Sequence, residues 1–288
     1  MSGAGPGGPE EADEARRAQR RRFAEEARAE RPDLVLLCLL IAAEGDPALD
    51  EAGMDAVQIA LDELAGQLPF APEGGPAAWA RNVGELLGRR LGFGGTPADY
   101  RRLESSLLHE VVRRRRGLPI LLSVVWTEVA RRAGAPVYGV ALPGHFVVGF
   151  GDPHGTHVLA DPFAGGRLLS DADAAELVAG AGAALTAPML LPADPLEIVA
   201  RILHNIRAWA QARPEHGPVG LWAVELALLL PSHPARLRHD HAQLLVNCGR
   251  FLEGAAELEE YARVVEAVDP ATAETVRGRA AEVRALLN

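Results

Sequence analysis

Two residues in this chain have types and an order that could do chemistry. His145 opens the apolar run HFVVGF (145–150), and Asp161 follows THVLA (156–160). Ahead of them, Gly117-Leu118-Pro119 starts a helical run reaching Arg132. A histidine on one strand can serve as a base, and an aspartate on the next can orient its ring. The missing partner is a thiol at the helix start, where the helix dipole and the imidazole would stabilise a thiolate. No cysteine occurs in Gly117–Phe163, and Pro119, Ile120 and Leu121 stand where one would be needed. Ser123 is the nearest hydroxyl, about one turn in. It is expected to be a buried hydroxyl bonded to a carbonyl one turn back, ahead of any role as a nucleophile.

Without the thiol, His145 and Asp161 carry two readings. They are a buried bond that fixes two strands, or a pair retained for binding or catalysis. His154 and His157 lie before Asp161, and with His145 they would make a His/His/Asp metal set; the spacing is not a standard one, so no metal is expected. His239 and His241 are two apart on a helix and point to different sides. His204 is expected in a helix–helix hydrogen bond. No cofactor is implied.

The elements that must position these residues follow from pattern. Gly117 stops one helix and Pro119 suits the first turn of the next. After Gly134 the period changes to two: VYGVAL (137–142), HFVVGF (145–150), THVLA and a short Arg167–Leu169 predict an antiparallel meander packed on that helix. Upstream, a Gly/Pro-rich tail (1–9) is expected to be disordered. The Glu/Ala/Arg segment 10–30, with Phe23 as its one large apolar residue, predicts a solvated helix docked lightly at an edge. Helices follow at LVLLCLLIAAEG, about 48–67 and about 77–91. Arg113–Arg116 reads as a solvated helix end. Beyond the sheet, helices at about 195–212, 218–230, 234–248, 252–267 and 271–287 approximate a tetratricopeptide-like hairpin array, with Pro234 and Pro270 similarly placed. The expected parts are therefore 1–30, a helical region 31–80, a core 81–185 and a helical tail 195–288.

Composition narrows the function classes. A net charge of −10 disfavours a nucleic-acid partner. Every basic residue is arginine, which excludes Schiff-base and P-loop lysines. Cys38 and Cys248 lie far apart without metal-type spacing, as in a reduced cytoplasmic protein. The Gly/Pro-rich, charged N-terminus does not read as a signal peptide, and the apolar run 34–43 is too short to span a membrane.

The segments GLPILLSVVWTEVARRAGAP, GVALPGHFVV and LADPFAGGRLLS resemble the transglutaminase-like superfamily, and in particular its SirB-type bacterial branch with tetratricopeptide-like C-terminal helices. NVGELLGRRLGFGGTPADY and SSLLHEVVRRRRGLPI match the run-in of that branch, and ARILHNIRAWA its tail. The resemblance implies an α+β fold with a papain-like core: a buried helix and a small antiparallel sheet, flanked by N-terminal helices and an all-α tail. It makes His145 and Asp161 the family histidine and aspartate, and puts the family cysteine near Pro119–Leu121. The implied function is a non-catalytic regulatory or scaffolding protein that binds a protein partner through its helical tail. The alternative is a hydrolase or acyl-transfer enzyme acting on an amide through His145 and Asp161, with water or another nucleophile.

Overall fold

The structure is a computed structural model that describes residues 9–69 and 72–286. Most of the expected N-terminal tail, residues 1–8, lies outside the described residues. Twelve α-helices are described: α1 Pro9–Glu26, α2 Leu34–Gly45, α3 Glu51–Ala65, α4 Gly75–Val83, α5 Leu108–Arg114, α6 Pro119–Arg132, α7 Asp171–Gly180, α8 Pro195–Gln211, α9 Gly217–Leu229, α10 Arg236–Asn247, α11 Phe251–Val265 and α12 Pro270–Ala285. Four strands, β1 Val137–Val140, β2 Val147–Gly151, β3 His157–Asp161 and β4 Arg167–Leu169, sit between α6 and α7. No described helix is long and apolar enough to cross a membrane. The chain forms two compact units, Asp33–Ile202 and a second made of the segment through Pro32 with Leu203 onward.

In the unit Asp33–Ile202, the strands form one sheet in the order β1-β2-β3-β4, antiparallel throughout. Register pairs Val140 with Val147, Val148 with Ala160 and Asp161 with Arg167. Alternation along β2 sends Val147 into a cluster with Val140, Leu142, Leu159, Ala174 and Val178. α6 packs on β1 and β2, and α2, α3, α4 and α5 pack around α6. It is buried nearly all round, from Pro119 to Trp126 and again from Glu128 to Ala130. Asp33 caps α2 by accepting from the Leu36 amide at 3.0 Å, and Asp50 caps α3 through the Gly53 amide at 2.8 Å.

Two polar ties hold α6 in place. At its C-terminal end Glu128 accepts from Arg131 and Arg132, and Arg132 also donates to the Gln58 carbonyl and Asp62 of α3, each at 2.8 Å. At its start, the Leu118 amide donates to the Ser105 carbonyl at 2.9 Å.

The sequence pattern predicts one helix over about 77–91. The structure instead ends α4 at Val83 and winds Gly84–Arg90 as a π-helix. The cause is a close approach. A Cβ on Gly88 would stand 1.9 Å from the Gly165 carbonyl oxygen, and one on Gly84 would stand 3.2 Å from that of Gly166. The two glycines therefore admit the loop that follows β3. The arginine run also does more than end a helix. Arg115 takes φ +57°, and its carbonyl accepts from the Gly94 amide at 3.1 Å.

The second unit stacks α9 on α10, α10 on α11 and α11 on α12 as successive antiparallel helices, with α1 against α9. Five of the eight buried residues of the α10–α12 cluster are alanine: Ala242, Ala255, Ala262, Ala273 and Ala280. Small side chains let these helices approach closely. α1 meets α9 chiefly through one end, and most of its earlier residues are exposed. Phe23 is wholly buried, Ala27 one turn later nearly so, and Arg20 pairs with Glu225 at 2.8 Å. One aromatic with an alanine four residues on is apolar face enough to seat this helix.

Candidate functional site

His145 does not begin a strand as the pattern suggests. It closes the turn Leu142–His145, its amide donating to the Leu142 carbonyl at 3.2 Å, and β2 starts two residues later. Gly144 makes the turn possible at φ +72°. Two donors clamp this corner. The Ser123 hydroxyl donates to the Phe146 carbonyl at 3.3 Å, and the Arg201 Nη2 donates to the His145 carbonyl at 2.8 Å. Ser123 thus bonds across to the sheet and not back along its own helix, because the fully buried corner carbonyl lies in reach.

Asp161 is the last residue of β3, and its side chain is almost wholly buried. Its Oδ1 accepts from the Phe163 amide at 2.9 Å, which fixes the carboxylate over the turn Pro162–Gly166. The same Oδ1 lies 3.1 Å from His145 Nε2. That distance suits a hydrogen bond but the angle does not, and Nε2 stays buried with no hydrogen-bond partner. The side chain of His145 is 13% exposed.

The expected pair is therefore together, and three residues join it that the pattern did not mark. Phe163 packs edge-on to the His145 ring at 6.0 Å between centroids, and Tyr100 packs on Phe163 at 5.9 Å. Arg201 lies over the Phe146 ring, 5.7 Å from its centroid. Tyr100 is placed by the turn before it, where the Thr96 amide and hydroxyl both donate to buried Asp99. Burial raises the Tyr100 phenol above its ordinary value, the Asp161 charge raises it further, and the Arg201 charge opposes them. Burial lowers the Arg201 guanidinium, with Tyr100 acting against the shift. Only Arg201 had a local cue, as a polar residue on an otherwise apolar stretch of α8; Tyr100 had none.

No thiol reaches this site from its own helix. Leu118, Ile120 and Leu121 fill the start of α6, each almost wholly buried. Cys38 and Cys248 are free thiols. Cys38 is buried in α2, and that burial, reinforced by Asp33, pushes its thiol far above the usual range. Cys248 is also raised by burial, with Arg250 opposing. Both shifts favour the unreactive thiol.

His154 lies on the turn, and His157 at the start of β3, at the opposite end of the β2–β3 hairpin from His145. The His157 Nδ1 is 3.1 Å from the Gly155 carbonyl. No group of three or more metal-ligating side chains occurs among the described residues. His204 is exposed. His239 stacks near Tyr261, whereas His241 lies between Glu225 and Glu257, so the two face different neighbours.

A family model described as transglutaminase-like superfamily matches residues 55–204. The chain belongs to the transglutaminase-like superfamily. A second model, tetratricopeptide repeat, matches residues 206–288. Among curated relatives, a Pseudomonas aeruginosa protein named UPF0162 protein PA3419 is 37% identical over 191 residues, covering 65% of this chain and 68% of that one. A UPF0162 protein from Xylella fastidiosa strain Temecula1 is 34% identical over 188 residues, covering 62% of this chain and 65% of its own. The SirB-type resemblance agrees with these relatives. The matched stretch spans less than two thirds of each Xylella protein's length. The mouse protein named F-box only protein 21 is 26% identical over 171 residues, covering 57% of this transglutaminase-like chain and 26% of its own length. A crystal structure of menin aligns at TM-score 0.43 and 14% identity over 92% of this chain and 70% of that one, a likeness too loose to bear on fold or function.

Proposed function

We propose that this chain is a non-catalytic regulatory or scaffolding protein. In this reading its transglutaminase-like domain is a frame without a nucleophile, and its tetratricopeptide-type helices take a protein partner. The observation that carries the reading is the apolar, buried start of α6. Leu118, Ile120 and Leu121 stand where a thiol would have to be, and the nearby Ser123 hydroxyl is spent on the Phe146 carbonyl. Stacked helical hairpins present extended surfaces suited to partners.

The His145–Asp161 contact favours a second reading, in which the pair activates water for hydrolysis or acyl transfer at an amide. One screen separates the two. Wild type and His145→Ala are assayed side by side for amidase, esterase and amine-transfer turnover. The scaffold reading expects equal, background rates; turnover that disappears in the variant overturns it. Partner binding is tested with the full-length protein as bait against Leu252→Asp and Val268→Asp, at exposed apolar positions of the second unit. A partner held by wild type and released by these variants supports the helices as the binding surface, and one held equally by all three does not.

A further inference from the structure

Arg201 is half-buried without a matching carboxylate. Several arginines that reach inward are matched with one: Arg132 with Glu128 at 2.7 Å, Arg207 with Asp240 at 2.8 Å, Arg238 with Glu257 at 3.0 Å. Arg201 has no carboxylate within 4.0 Å among the described residues, although it is half-buried. Glu197, one turn earlier on α8, is exposed and does not pair with it. One guanidinium nitrogen donates to the His145 carbonyl, and its face lies over Phe146. A guanidinium carries five N–H donors, so further donors stay available to a ligand. Taking a charge partly out of water without a counter-ion is costly, and an anion placed against it recovers that cost.

The surroundings say which anion. Tyr100 is half-exposed and lies within electrostatic reach of both Arg201 and Asp161. Phe163 forms an aromatic wall between Tyr100 and His145. The buried nitrogen of His145 adds a polar atom with no hydrogen-bond partner. Asp161 already places one negative charge at this site, which repels a dianion more than a monoanion. A planar carboxylate matches the guanidinium fork, and the aromatic wall suits an apolar stem behind it.

We infer that Arg201, with Tyr100 and the His145 corner, binds a singly charged carboxylate whose stem lies against Phe163. The inference does not depend on the helices binding a protein partner, so a failed pull-down leaves it standing.

The test is an NMR titration of the full-length protein with hippurate, a carboxylate carrying an aromatic stem. Hippuramide is its uncharged control, and inorganic phosphate and matched chloride are the competing anions. Hippurate is expected to shift the amides of Tyr100, His145 and Phe146. Arg201→Gln should weaken its binding at least about tenfold. Tyr100→Phe should weaken it roughly 2–10-fold. Arg113→Gln, at an exposed arginine paired with Glu110, should leave it unchanged. An acidic side chain and the terminal carboxylate of a peptide are two sources of the same group. N-acetylglutamate α-amide represents the first and hippurate the second, and the tighter of the two names the source. Equal binding of hippuramide, phosphate binding tighter than hippurate, or no loss in Arg201→Gln would each overturn the inference. If Arg201→Gln does not fold, an unweakened Tyr100→Phe overturns it on its own.

Discussion

Gly88→Ala tests the reason given for the π-helix. The added methyl would sit 1.9 Å from the Gly165 carbonyl oxygen, 2.7 Å from its carbon and 3.3 Å from its Cα. Backbone has no rotamer to yield, so the loop after β3 must retreat by roughly 1 Å before the contact is tolerable. Overpacking of this kind costs about 1–3 kcal/mol, while replacing a helical glycine by alanine returns about 0.5–1 kcal/mol. The net loss, up to about 2.5 kcal/mol, lowers Tm by up to roughly 10 °C in a protein of this size. Because the retreating loop also carries the turn that holds Asp161, the His145 ring signals should shift in the same variant. Gly180→Ala, at a helical glycine with open space around it, is the control and should hold or raise Tm. The assay is thermal unfolding followed by far-UV circular dichroism, with imidazole NMR for the site. If Gly88→Ala melts at or above wild type and leaves His145 undisturbed, the close approach does not explain the π-helix.

Three further outcomes follow. Ser123→Ala leaves the buried Phe146 carbonyl without its donor and should cost about 1–3 kcal/mol, read as a lower denaturant midpoint at constant m. Burial alone would raise the Glu225 carboxyl, but His241 and the Arg20 guanidinium outweigh it and hold it at about 2. A carboxyl depressed on folding contributes stability above its unfolded pKa and loses it as pH falls through the folded value. The stability gap between wild type and Glu225→Gln should therefore shrink by about 3 kcal/mol between pH 4.5 and 2, measured by denaturant unfolding at each pH. With an aromatic disulfide reagent at pH 8, Cys248 should react slowly and Cys38 only after unfolding; prompt labelling of both in the native protein would refute the raised thiols.

The central stretch was legible because its signals are local. Pro119 after Gly117 marks the helix start, and the change of period after Gly134 marks the meander. What was not legible depends on contacts distant in sequence. Gly84 and Gly88 look like ordinary helical interruptions until the loop at 165–166 arrives beside them. Ser123 obeys no local rule, since its acceptor lies 23 residues away. Tyr100 and Arg201 lie 101 residues apart, and only the folded turn at 96–99 and the course of α8 bring both to His145. How completely Phe23 is buried was likewise not legible, because composition counts apolar residues and not their burial.

The alanine cluster of α10–α12 has a consequence for how that unit tolerates change. A core of leucines fails by truncation, leaving cavities. A core built on Ala242, Ala255, Ala262, Ala273 and Ala280 has little left to truncate, so damage there comes chiefly from added volume. The commonest single-base changes of an alanine codon give valine or threonine, and both are larger and branched. The helices that carry the proposed partner surface are therefore held to small residues at these positions, and drift there has almost one permitted direction, towards serine or glycine.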